Sequence, residues 1–325
     1  MSPPSPPALA RPLARPLEGQ IITIFGGGGF VGRAAAEQLL QAGARLRIAQ
    51  RHPARAHNLR ALGNLGQVQL VGADVRNANQ VLRAAWGSDI LINLAGSFAD
   101  MARIMGDGAG HVAAAAAHVG ARLIHISAIG ADAASASAYG RAKAAGEAAV
   151  RAAMPDATIL RPSLIFGAED ALTNRFATLL RALPAVPVFG PETRVQPVFV
   201  GDVGAAIAAV ATGAPAGDFE LGGADILTMH ALWQWIGEQI GHNPSLIDLP
   251  NALSALIAKA TGWLPGAPIT ADQWAMLAKD NLVAPGARTL RDLGISPTPI
   301  ASAAPTWLAR YRRQGRFTAI AAREA

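Results

Sequence analysis

Ile21-Ile22-Thr23-Ile24-Phe25-Gly26-Gly27-Gly28-Gly29-Phe30-Val31-Gly32 is the stretch on which the fold turns. Its first five residues are β-branched or aromatic and almost wholly apolar, as in a strand buried on both faces. Four glycines follow, and the chain then turns Ala- and Leu-rich from Arg33 to Gln41, which predicts a helix closed by Gly43. A strand that turns this tightly into a helix sets the helix N-terminus, with its unsatisfied N–H groups, at the strand's carboxyl end. The spacing Gly26-x-x-Gly29-x-x-Gly32 leaves three positions without side chains. They serve a tight turn, the close approach of an anion and the close packing of helix on strand. The combination predicts a cradle for the pyrophosphate of a dinucleotide.

The pattern continues outward from there. Arg45 to Gln50, Val68 to Val71, Ile90 to Leu94, Arg122 to Ile126 and Thr158 to Phe166 read as strands, with helices at Asn77 to Trp86, Met101 to His118 and Tyr139 to Ala153. Strands separated by helices of this length predict parallel βαβ units, hence an α/β fold of the Rossmann type with a doubly wound parallel sheet. From Glu169 to Pro197 four prolines break any clear periodicity; Val198 to Val200 and Phe219 to Leu221 are strand-like, with a helix from Asp202 between them. Beyond Thr228 the sequence is mainly helical and holds five of the six tryptophans, which predicts a smaller, mainly helical C-terminal subdomain. The expected organisation is a disordered Pro-rich tail over 1–18 and a dinucleotide-binding domain over 19–167, its sheet completed by about 196–225. A smaller subdomain follows from 168–195 and 226–318, with a tail over 319–325.

Composition narrows the function. Of 325 residues 51% are hydrophobic and 15% charged, so most of the chain folds around a core. Cysteine is absent, which removes disulfides, thiolate metal sites and thiol nucleophiles and fits a reducing cytoplasm. No run of 18 apolar residues marks a membrane span. The formal charge of +6 is dispersed arginine, which argues against nucleic acid as a partner. His111 and His118 have no acids near them in sequence, so no metal site is expected. The exception to the dispersal is the C-terminus, where Arg310, Arg312, Arg313, Arg316 and Arg323 interleave with Trp307, Tyr311 and Phe317. That cluster is either a solvated tail or a docking patch for an acidic partner or an anionic membrane surface.

The second strand end selects the cofactor. An acid there would accept the ribose 2′-hydroxyl of NAD(H), whereas this chain has Gln50-Arg51-His52 with Arg33 just beyond the third glycine. The planar guanidinium matches a phosphate, so NADP(H) is favoured and NAD(H) is the alternative. Asp74-Val75 after the third strand is placed to meet the adenine. Asn93-Leu94-Ala95-Gly96 after the fourth brings nearly bare backbone against the ribose.

Tyr139 and Lys143 stand four residues apart in a chain with two tyrosines and three lysines. One helical turn puts them on one face. A phenol titrates near 10, and working at neutral pH requires lowering it by about 3 units. A neighbouring ammonium favours the phenolate and can also hold the nicotinamide ribose.

Taken together, the glycine loop, Asp74, Asn93-x-x-Gly96, Tyr139-x-x-x-Lys143 and Arg161 to Gly167 resemble the extended short-chain dehydrogenase/reductase superfamily of NAD-dependent epimerases and dehydratases. His125 to Asp132, Asn174-Arg175-Phe176, Val195 to Val203 and Thr289 to Ile295 resemble one atypical branch of it. That branch contains the NAD(P)H-binding accessory subunit of respiratory complex I and its bacterial relatives. The resemblance implies catalytic roles for Tyr139, Lys143 and Ser127. It implies cofactor contacts from Gly26, Gly29, Phe30, Val31, Gly32, Arg33, Arg51, Asp74, Val75, Asn93, Ala95, Gly96 and Pro162, together with Tyr139 and Lys143. It also implies complex I subunits as partners, in the cytoplasm or peripheral on the inner membrane.

One departure bears on activity. The slot where active epimerases carry a second hydroxyl, two residues past Ser127, holds Ile129, and losing one such donor typically costs about 10²- to 10³-fold in rate. Arg175, Arg181 and Arg194 are the only candidates for gripping a sugar diphosphate. The expectation is therefore an NADP(H)-holding accessory or assembly subunit with little turnover, the alternative being an active reductase, dehydrogenase or epimerase working through Tyr139 and Lys143.

Overall fold

The computed structural model describes residues 15–264, 267, 269–313 and 315–317. Six of the parallel strands are β1 Ile21–Phe25, β2 Arg45–Gln50, β3 Val68–Gly72, β4 Ile90–Asn93, β5 Arg122–Ile126 and β6 Thr158–Pro162. With Asp218–Leu221 they form a seven-stranded sheet in the order β3-β2-β1-β4-β5-β6 and then Asp218–Leu221. Every pairing in it is parallel, with Ile24 opposite Ile48 on one side and Ile92 on the other. The chain reverses direction of growth at β1, so the crevice outside the carboxyl ends of β1 and β4 is the switch point where such sheets bind ligands.

Helices cover both faces. On one lie α1 Phe30–Gln41 and α6 Val200–Ala211, packed over Ile22, Ile24, Ile48 and Ile92. On the other lie α2 Ala78–Ala85, α3 Gly108–Val119 and α4 Ala138–Ala153, which bury Phe25, Leu91 and Leu123 under a layer of alanines. Small residues let these helices sit close to the sheet. The expected helix from Met101 begins instead as a π-helical turn, Ala102–Asp107, before α3. The expected strand from Thr158 to Phe166 stops at Pro162, and Ile165–Phe166 pairs separately with Val198–Phe199.

A third core joins the later elements. α5 Ala171–Ala182 and α7 Met229–Ile240 pack through Phe176 on Trp233, ring centroids 3.7 Å apart and nearly parallel. Trp307 is buried beside Phe166 and Phe199, whereas Trp263 is exposed, so the late tryptophans do not share one role. α5 lies inside the segment that shows no periodicity in sequence. Asp170 starts it by accepting from the Thr173 N–H at 2.5 Å. The mainly helical region beyond Thr228 also contains a strand, Ser245–Leu249, parallel to Ala185–Phe189. α8 Asn251–Thr261 and α9 Ala271–Leu277 follow.

The expectation of a disordered tail over 1–18 is corrected at its inner end. Leu17 is fully buried among α1, β2 and β1 residues, and its N–H donates to the Ala42 carbonyl at 3.0 Å. Residues 1–14 and the expected tail over 319–325 lie outside the described residues. Leu17→Ala is expected to destabilise the fold by about 2–4 kcal/mol, seen as a lower urea midpoint with unchanged slope; a shift within error would place Leu17 outside the cooperative core.

Candidate dinucleotide site

The glycine loop leaves β1 through Gly26 at φ 77°, a left-handed turn that a side chain would strain. A Cβ on Gly26 would meet the Leu94–Ala95 backbone at 3.0 Å, and one on Gly32 would meet the Gly27 carbonyl oxygen at 2.2 Å. The bare positions thus let α1 settle on its own strand and let the β4 loop close against β1. Gly29 is the N-cap of α1, and no side chain caps the helix start. Nor is there an acid in its first turn, so the N–H groups of Phe30, Val31 and Gly32 remain for an anion. These residues fit a pyrophosphate.

The β2 end is shaped by Gln50, which stands where an acid would bind NAD(H) and to which the sequence reading assigned no role. Gln50 accepts the Gly28 N–H through Oε1 at 3.0 Å and donates to the His52 carbonyl at 2.8 Å. Gln50 is therefore committed to holding the loop rather than accepting a ribose hydroxyl. Arg51 is exposed and lies near enough to Asp74 to help lower its pKa. Arg33, expected at the same phosphate, pairs its guanidinium with Glu169 at 2.6 Å, both side chains being exposed. Glu169 lies 136 residues on, so no local signal announces it.

Asp74 is likewise spoken for. Arg76 grips its carboxylate through Nε and Nη2, the shortest contact 2.6 Å, which holds the carboxyl down to about 2. Its carboxylate therefore meets an arginine before any adenine. The Val75 carbonyl takes a hydrogen bond from His111 Nδ1 at 2.8 Å. This contact, in which Nδ1 donates, gives that histidine a structural role.

At the β4 end Asn93 is buried, and its Oδ1 accepts the Ala95 N–H at 3.1 Å, fixing the backbone that leads to Gly96. Asn93 Nδ2 lies 3.2 Å from Nδ1 of His125, its register partner on β5. Burial pushes His125 down to about 3, so the ring is neutral, and with Asn93 donating to Nδ1 the proton sits on Nε2. Nε2 is buried with no protein partner.

Ser137 caps α4 and Ala138 donates to Asp272 Oδ1 at 2.5 Å, so α9 of the third core anchors the start of the Tyr139 helix. Lys143 is buried, and its Nζ donates to the Ile126 carbonyl at 2.9 Å. The ammonium stands 5.8 Å from the Tyr139 ring centre. The lowering of the phenol expected from Lys143 and an oxidised nicotinamide ring together does not come from the chain's own groups. Burial pushes Tyr139 up to about 12 and Lys143 down to about 8. At neutral pH the phenol therefore stays protonated, while Lys143 keeps most of its charge. Ser127 Oγ is buried and unpartnered, with no hydrogen bond to Tyr139 among the described residues. Ile129 donates its N–H to the carbonyl of Pro162, the expected cofactor contact on β6, and accepts from Asn281 Nδ2. Asn281, which also accepts from Ser163 at 2.5 Å, is a residue near the site that no motif signalled.

The sugar-diphosphate candidates do not converge here, for Arg194 pairs with Asp280 and Arg175 donates to the Ala267 carbonyl. In the C-terminal cluster Arg310 bonds the Ala168 carbonyl and Asn174, while Arg312 bonds the Gln239 carbonyl. These two hold the chain end to the molecule instead of forming a free basic patch. No metal-binding cluster of acids and histidines occurs among the described residues, and no helix among them is long and apolar enough to cross a membrane.

His125 gives a testable pH dependence. Its pKa is lower folded than unfolded, so between about 6.5 and 3 the unfolded chain binds the extra proton and stability falls as pH falls. The slope contributed is about 1.4 kcal/mol per pH unit. His125→Gln is expected to flatten the urea-midpoint profile over that window; an unchanged profile would mean that His125 is not buried neutral. Gly32→Val is expected to lower dinucleotide affinity at least about 100-fold by lifting α1 from β1, measured by NADPH fluorescence titration.

Comparison with known proteins agrees with this geometry. A family described as NAD(P)H-binding matches residues 26–182. NADH dehydrogenase (ubiquinone) 1 alpha subcomplex subunit 9 of Arabidopsis thaliana is 32% identical, covering 92% of this chain and 80% of its own. The same subunit of Rattus norvegicus is 31% identical over 91% and 81%. A ceramide reductase of Caulobacter vibrioides is 33% identical over 71% of this chain and 74% of its own. Among solved structures an NADPH-dependent quinone oxidoreductase from Escherichia coli, complexed with NADPH, superposes with a TM-score of 0.72 at 22% identity. It covers 88% of this chain and 99% of its own, and shares the fold. With a glycine cradle of dinucleotide form and identity above 30% along most of its length, the chain belongs to the alpha subcomplex subunit 9 family of NAD(P)H-binding proteins.

Proposed function

We propose that this protein holds NADP(H) as an accessory or assembly subunit of respiratory complex I and turns over little or no substrate. The observation that carries the reading is the contrast within one crevice. The cradle at Gly26 to Gly32 is complete, whereas the reactive group is poorly poised, its phenol raised to about 12 and its lysine committed to a backbone carbonyl. A tyrosine with that pKa is a weak proton exchanger near neutrality, and Ile129 supplies no second donor. The relatives named as complex I subunits support the partner assignment. The peripheral position at the inner membrane follows from that partner rather than from the C-terminal arginines, two of which are engaged internally.

NADP(H) is favoured over NAD(H) because Gln50 is occupied and Arg51 is exposed at the β2 end. The bound dinucleotide supplies a hydride-carrying ring and a permanent set of phosphates; the chain's own part is to hold them. Gly26 to Gly32 would take the pyrophosphate, Arg51 the 2′-phosphate, and the Ala95–Gly96 backbone with Lys143 the riboses. On this reading the chain divides into a dinucleotide-binding domain over 19–167 with its later strands, and a smaller unit that faces the partner.

A second reading, an active carbonyl reductase, is favoured by the unpartnered Ser127 hydroxyl and by the ceramide reductase likeness. In it Tyr139 gives the proton and Ser127 polarises the carbonyl.

Arg51→Ala is expected to weaken NADPH about 10-fold or more and leave NADH nearly unchanged, read by fluorescence titration; equal losses for both nucleotides would remove Arg51 from the phosphate. Tyr139→Phe is expected to leave nucleotide retention and co-purification with solubilised complex I intact. Loss of a substrate-dependent NADPH absorbance change on the same substitution would establish the reductase instead.

A further inference from the structure

Among the described residues Asp100 is the one non-glycine with a left-handed backbone, at φ 55°. Such a conformation persists where neighbours hold it. Here the holder is Arg76, whose Nη1 donates to Asp100 Oδ2 at 2.9 Å while Nε and Nη2 fork onto Asp74. Arg103 adds a longer contact to Asp100 at 3.5 Å. Asp100 ends the segment from Gly96, and within it Phe98 lies on the Tyr139 ring, centroids 5.4 Å apart at 24°. Phe98 remains 66% exposed, so burial alone gives it little reason to stay there. One short segment is thus fastened at one end beside the expected adenine contact and laid at the other over the expected reactive phenol.

We propose that Arg76 is a positioning residue of the dinucleotide site: it straps segment 96–100 along the crevice, Phe98 over Tyr139, and the dinucleotide enters and leaves as the Arg76–Asp100 pair opens. The proposal rests on the dinucleotide reading of the crevice. Its two grips differ in strength, which suits a strap. The guanidinium reaches Asp74 through Nε and Nη2 but Asp100 through Nη1 alone, and both pairs are similarly open to water. A single charge-assisted bond that water reaches is weaker than a forked one and parts first. Beside the guanidinium a surface hollow of about 300 Å³, bounded by Arg76, Arg103, Asp107, Gly110 and His111, gives the side chain room to swing. The strap also explains how a chain with Tyr139 and Lys143 in place keeps its nucleotide while shielding the phenol from substrates.

The test uses the full chain with Asp100→Asn and Arg76→Lys. Asparagine tolerates the left-handed backbone but drops the charge, and lysine keeps a charge but cannot fork onto both carboxylates. Hydrogen exchange of amides 97–101 is expected to quicken about 10-fold in Asp100→Asn and less in Arg76→Lys. NADPH association and dissociation, followed by stopped-flow fluorescence, are expected to quicken together, leaving the dissociation constant within about threefold. Unchanged exchange at 97–101 in Asp100→Asn overturns the strap. So does faster dissociation alone, which would make the Arg76–Asp100 pair part of the nucleotide's own contacts. If the parent chain binds neither NADPH nor NADH, the dinucleotide reading fails, and the exchange rates alone decide whether the segment is strapped.

Discussion

Everything at the crevice depends on how closely α1 approaches β1. The 2.2 Å that would separate a Cβ on Gly32 from the Gly27 carbonyl means that any side chain there pushes the helix off its strand. Because the helix sits so close, its uncapped N–H groups face the carboxyl edge of the sheet. The same contact sets α6, whose Gly204 meets the Ala34 backbone on α1, and so seats the second layer of that face. On the other side of the loop Gly26 admits the Leu94–Ala95 backbone, which Asn93 then holds. Close approach at these glycines thus aligns the uncapped start of α1, the β4 edge and the α1–α6 layer.

A second constraint is the dryness of the α4 face. The inner face of α4 buries Lys143 against β5 and half-buries Tyr139 under Phe98, while His125 on β5 is buried and neutral. A dry environment disfavours each charged form, raising the phenol and lowering the ammonium. The Lys143 ammonium gives one of its three N–H groups to the Ile126 carbonyl and stands 5.8 Å from the Tyr139 ring.

The sheet was legible because its strands are apolar runs set between helices of regular period, and that pattern follows from burial on both faces. α5 was hidden because it was read as one with the proline-rich stretch that follows it, Pro184 to Pro197, while the signal that starts it, Asp170 accepting from the Thr173 N–H, is a single capping contact. The strand pair of Ala185–Phe189 with Ser245–Leu249 joins segments too far apart for any local pattern to match them. Leu17 looked like part of a proline-rich tail because the composition around it is that of a tail, yet its side chain completes the core beneath α1.

The sequence by itself determined the backbone of the site: the glycine spacing, the strand that feeds it, and the Tyr139–Lys143 turn, all of which act over a few residues and leave a local pattern. Only the tertiary structure decided what the charged side chains do. Arg33 goes to Glu169, Arg76 to Asp100, and Asp272 to the Ala138 N–H. The reason is physical. A guanidinium or carboxylate takes whichever partner the fold brings within about 3 Å, and across 24 to 136 residues of intervening chain no spacing in the sequence records which partner that is.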